Sequence, residues 1–62
     1  MWVLRDKNGK GYNPKTPYTQ EEIKNNYLTN NLSRVAIYQY KGYAERLAKE
    51  LGEFTVIDVN HY

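Results

Sequence analysis

Arg34-Val35-Ala36-Ile37-Tyr38-Gln39-Tyr40, then Lys41 to Leu51, then Gly52-Glu53-Phe54-Thr55-Val56-Ile57-Asp58-Val59, is the stretch whose reading decides the fold. The first piece is rich in β-branched and aromatic residues. It predicts a strand with Val35, Ile37 and Gln39 on one face and Ala36, Tyr38 and Tyr40 on the other. The middle piece predicts a helix beginning at Lys41 or Gly42, with Tyr43, Ala44, Leu47, Ala48 and Leu51 on its apolar stripe and a Glu45–Lys49 pair one turn apart. Gly52 stands at the position after the last turn, where a left-handed residue stops a helix. Phe54 to Val59 is apolar on both faces, which predicts a strand inside the sheet instead of at its edge. The connection from Tyr40 to Phe54 is about a dozen residues, enough for a parallel, right-handed crossover.

Outward from that unit, Trp2 to Arg5 favours a strand, and Asn8-Gly9 between Lys7 and Lys10 is the residue pair of a two-residue type I′ turn. A hairpin follows, with Lys7 opposite Lys10 and a short return arm, Gly11-Tyr12-Asn13, ended by Pro14. The two prolines with Lys15 between them mark a loop from Asn13 to Tyr18. Thr19-Gln20-Glu21-Glu22 then matches a capping box and opens a helix from about Gln20 to Leu28, with Ile23, Tyr27 and Leu28 as its apolar stripe. The fold class is therefore α+β: a small mixed sheet of three to four strands, made of the hairpin and then β-α-β, with two helices on one face.

Composition narrows function. The chain has 62 residues, a size at which folding buries only about 60% of the unfolded surface, so it is one domain, 1–62, with a thin core. A deep catalytic pocket would consume much of that core, which favours a binder over an enzyme. There is no cysteine, hence no disulfide or thiolate metal site, and no apolar run long enough to span a membrane. The start, Met1-Trp2-Val3-Leu4-Arg5-Asp6, has the wrong pattern for a signal peptide, and the expected location is the cytoplasm. Nine basic and seven acidic side chains give a net charge of +2 with the signs interspersed, so no strong field demands nucleic acid. Seven tyrosines are the unusual feature, because tyrosine offers contact area with a polar tip and few torsions to freeze.

No motif supplies catalysis. His61 has its nearest carboxylate at Asp58, which an extended chain puts on the other face, so neither a metal pair nor an oriented base is built. Glu21 and Glu22 are adjacent because negative charge favours a helix start. Lys7-Asn8-Gly9-Lys10-Gly11 lacks the strand-to-helix setting of a phosphate loop. No metal ligand set or cofactor is expected. Promise lies in an open sheet face carrying Arg34, Tyr38 and Tyr40 with Val3 and Arg5, where aromatics beside arginine suit a protein anchor or a base-stacking platform. A second candidate surface is the loop and helix start from Tyr12 through Tyr18 to Glu21 and Glu22.

The tail from Ala36 to Val59, with its Tyr-bearing strand, A-x-x-x-A helix ending Leu51-Gly52 and β-branched final strand, resembles the ending of small uncharacterised proteins of phages and prophages of Gram-positive bacteria. That resemblance implies a host-takeover or anti-defence role in the bacterial cytoplasm, the best-known class being type II anti-CRISPR proteins that act on Cas9, with or without its guide RNA. The expectation is a non-enzymatic binding module that inhibits or modulates a host protein. The alternative is a nucleic-acid-binding accessory protein that stacks bases on tyrosines and contacts phosphates through Arg5, Arg34, Lys41 and Arg46.

Overall fold

The computed structural model describes residues 1–14 and 16–61, so Lys15 of the proline loop and Tyr62 lie outside the described residues. Its elements in order are β1 (Trp2–Arg5), β2 (Gly11–Tyr12), α1 (Gln20–Lys24), β3 (Leu28–Thr29), a 3-10 turn (Leu32–Arg34), α2 (Lys41–Leu51), β4 (Thr55–Asp58) and a second 3-10 turn (Val59–His61). The class is α+β, with the four strands in the order β3-β2-β1-β4. Every pairing is antiparallel, in place of the mixed sheet expected.

The reason is that Arg34–Tyr40 does not form a strand. Asn31 caps the 3-10 turn by accepting from the Ser33 amide at 3.0 Å, and this turn consumes Arg34. Val35 to Tyr40 then runs extended with a single bridge, Tyr38 to Trp2, both main-chain bonds being 2.8 Å. Without that strand no parallel crossover exists, and α2 instead leads into β4, antiparallel to β1. The strand buried on both sides is β1, whose adjacent Val3 and Leu4 are each fully buried. β4 is an edge strand with only partly buried side chains, contrary to the central place expected.

The hairpin turn is also a different one. Asp6 accepts from the amides of Asn8 at 3.0 Å and Lys10 at 2.8 Å, and the Gly9 amide donates to the Asp6 carbonyl. This wraps the chain into a three-residue loop with only Gly9 left-handed, at φ 83°. Asp6 rather than Lys7 therefore faces Lys10, and Arg5 pairs with Gly11. The one-residue change decides which face Tyr12 takes, and it joins Leu4 on the core side.

That core is formed by Leu4, Ala44 and Ala48, with Trp2, Tyr12, Tyr38, Leu47, Phe54 and Val56 packed around it. α2 approaches the sheet on its alanines, which allow close contact. Alternation along the strands puts Arg5, Gly11, Thr29 and Thr55 on the opposite face with Val3. Thr29 there bonds the Glu22 carboxylate, so α1 lies toward the face away from α2, and the two helices do not share a side. α1 stops at Lys24, earlier than expected, because Asn26 and Tyr27 turn left-handed at φ 59° and 68° and redirect the chain into β3. Its anticipated stripe is not buried: Ile23 and Tyr27 are exposed.

Candidate functional site

The start of α2 carries the aromatic surface. Tyr40 occupies the cap position before Lys41, makes no side-chain cap bond and is 71% exposed. Serine, threonine, asparagine and aspartate are the residues that satisfy helix-start amides, so tyrosine there leaves them without a side-chain acceptor. Tyr43, in the first turn, is 57% exposed, and its ring lies 5.5 Å from that of Tyr38. Tyr38 is held beneath it by the bridge to Trp2 and the packing against the core. Burial raises the Tyr38 hydroxyl above its ordinary pKa, with smaller contributions from the nearby Tyr12 and Tyr43 hydroxyls, so it stays a neutral donor. Lys41 places its ammonium 5.1 Å from the centre of the Trp2 ring, a cation–π contact at the same end of the helix. The surface is thus two exposed rings on a braced aromatic base.

Sequence reasoning expected Tyr38 and Tyr40 to stand together with Arg34 on an open sheet face. The structure separates them. Tyr38 points toward α2, because its bridge to Trp2 places both rings on the Leu4 side. The opposite face is closed at Val3 and Val35, both fully buried. Tyr43 and Trp2, read from sequence as helix stripe and strand residues, take the places beside Tyr40. The available signal was the width of the α2 stripe, since five apolar positions are more than two close-packed alanines can bring to the sheet.

Arg34 is committed elsewhere. Its Nε donates to Glu22 Oε2 and its Nη2 to Glu22 Oε1, both at 2.9 Å, and Nη2 also donates to the Pro17 carbonyl at 2.8 Å. Glu22 at the same time accepts from the Thr19 amide at 3.0 Å while the Thr19 hydroxyl accepts from the Glu22 amide at 3.1 Å, completing the expected capping box. These bonds hold the Glu22 carboxyl at a pKa of about 2, the Arg34 guanidinium being the largest cause. Arg34 and Glu22, with Glu21 and the asparagines 25, 30 and 31, line a cleft of about 320 Å³ between α1 and the chain after β3. The second candidate surface is divided. Tyr12 packs edge-on against Phe54 at 5.5 Å in the core, Tyr18 packs edge-on against Tyr27 at 4.8 Å, Glu21 is exposed and Glu22 is buried. Arg5 donates from Nε to the Gly9 carbonyl at 3.3 Å, bracing the hairpin.

Among the described residues no group of three or more histidine, cysteine, aspartate or glutamate side chains is placed to hold a metal ion, and no helix is long and apolar enough to cross a membrane. Comparison with protein-family models, curated proteins and solved structures finds no match to this chain.

Proposed function

We propose that the chain is a non-enzymatic binding module that contacts a host protein through the aromatic surface of Tyr40 and Tyr43. The observation that carries this reading is Tyr40: a large, mostly exposed ring at a helix cap where it makes no cap bond. A position that serves the fold poorly is occupied by a residue that serves interfaces well. Its neighbours Tyr38 and Trp2 hold the base of the surface in place, which lowers the ordering cost of binding. The phage-like character of residues 36–59 extends the proposal to inhibition of a host defence nuclease, with Cas9 the first target to examine. The nucleic-acid reading loses support because Arg34 is tied to Glu22 and Pro17, and Arg5 to Gly9.

The test is a Cas9–guide RNA cleavage assay with wild type and with Tyr40→Ala plus Tyr43→Ala. We expect inhibition by wild type, lost in the double variant at an unchanged thermal midpoint. Failure of wild type to inhibit removes the Cas9 assignment, and equal inhibition by both removes the tyrosine surface.

A further inference from the structure

The other flank of α2 carries a groove independent of the tyrosines. It measures about 440 Å³ and runs between α2 and β4, with Lys41, Glu45 and Lys49 along its helical wall and Ala48, Phe54 and Val56 among its lining. Its second wall is a sheet edge. Trp2 gives its main-chain bonds to Tyr38, and Val59 donates to Met1, so the antiparallel alternation pairs Val3 with Ile57 and turns the N–H and C=O groups of Val56 and Asp58 outward. Among the described residues no strand lies beyond β4. The edge carries neither lysine nor proline within Thr55–Asp58, the residues that commonly block strand addition.

Spacing and charge specify what fits. Side chains four apart on a helix are separated by about 6 Å along its axis, and alternate side chains of a strand by about 6.7 Å. A strand added to β4 would therefore present every second side chain in step with Lys41, Glu45 and Lys49. The basic-acidic-basic wall is complemented by acidic, basic, acidic. We propose that the groove binds an extended segment of a protein partner of pattern acidic-x-basic-x-acidic, paired antiparallel to β4 through Val56 and Asp58, with apolar residues suited to the x positions. Main-chain bonds supply affinity, and the helical wall reads the sequence.

The test uses two probes, acetyl-Glu-Val-Lys-Val-Glu-amide and the inverted acetyl-Lys-Val-Glu-Val-Lys-amide, titrated at low salt into the ¹⁵N-labelled chain. We expect the first to shift and protect the Val56 and Asp58 amides, with a preference over the second on the order of tenfold, as three exposed ion pairs of modest strength would give. In the chain carrying Lys41→Glu, Glu45→Lys and Lys49→Glu, which keeps opposite charges one turn apart, the preference should reverse. N-methylation of the probe's lysine, whose N–H faces β4, should abolish binding, whereas N-methylation of its first valine should not. Absence of shifts at Val56 and Asp58, equal binding of both probes, or equal effects of the two methylations overturns the proposal. So does a stable dimer in light scattering that neither probe dissociates, which would assign the edge to a second copy of the chain.

Discussion

Arg34 grips Glu22 by both carboxylate oxygens at 2.9 Å, across twelve residues of sequence, with the carboxylate side chain only 4% exposed. The same carboxylate closes the α1 capping box and takes a bond from Thr29. One acidic group therefore joins the Thr19 loop, α1, β3 and the 3-10 turn. A carboxyl lowered from 4.5 to about 2 in the folded chain stabilises the fold fully above the higher value, and loses that contribution as pH falls through the lower one. We expect Glu22→Gln to lower the urea midpoint at pH 7, and the gap between variant and wild type to shrink steadily from about pH 4.5 to about pH 2. Urea titrations at pH 7, 4 and 2.5 measure this, and a gap that stays constant would show that ionisation of Glu22 is not the source.

The two glycines of the α2 region should respond in opposite directions. Gly42 lies within the helix, and a Cβ built there meets nothing within 4 Å, so Gly42→Ala should stabilise by about 0.5–1 kcal/mol through helix propensity and a less flexible unfolded chain. Gly52 ends the helix at φ 100°, donating its amide to the Ala48 carbonyl at 2.9 Å. Space is equally open there, yet Gly52→Ala should destabilise by about 1 kcal/mol or more because the backbone is strained for any side chain. Thermal midpoints moving the same way for both variants would contradict this account.

How much of this was legible follows from the range of the signals. α2 was, because its stripe and its glycine stop lie within eleven residues of one helix and its immediate border. The Thr19–Glu22 box was too, for the same reason. Arg34–Tyr40 misled because β-branched and aromatic content favours extended backbone without specifying a neighbour, and the Leu32–Arg34 turn left only Tyr38 to pair with β1. Asn8-Gly9 located the turn, but its type depended on the Asp6 carboxylate outside the pair. The aromatic surface was half legible. Tyr40 could be named from composition, whereas the direction of Tyr38 required the register with Trp2, a contact 36 residues away in sequence that no local pattern encodes.

Core packing gives a sharper comparison. Leu4 is fully buried against Ala44 and Ala48, so Leu4→Ala should cost about 2–5 kcal/mol, enough to unfold a domain of this size. Leu51 belongs to the same sequence stripe as Ala44 and Ala48 but is 41% exposed, and Leu51→Ala should cost less than about 1 kcal/mol. Denaturant midpoints for the two variants decide between a core centred on β1 and one that extends along the whole helix.

Tyr40 offers a variant in which folding and binding should part company. The first turn of α2 contains no acidic residue, and Tyr40 makes no side-chain bond to its amides. Tyr40→Asp supplies a carboxylate that accepts from those amides and lies at the positive end of the helix dipole, so the fold should gain about 0.5–2 kcal/mol. The same change deletes the most exposed ring of the aromatic surface and puts a charge in its place. A protein in which Tyr40 serves only as a covering for α2 would become more stable and bind its partner as before. One in which Tyr40 is an anchor should become more stable and lose partner affinity by more than about 2 kcal/mol, roughly thirtyfold. Tyr38→Ala provides the contrast, since Tyr38 is packed between Trp2, the core and Tyr43, and its removal should lower the thermal midpoint before any effect on binding can be read. Thermal melts together with affinity for the partner, across wild type, Tyr40→Asp and Tyr38→Ala, separate the contact ring from the ring that holds it up.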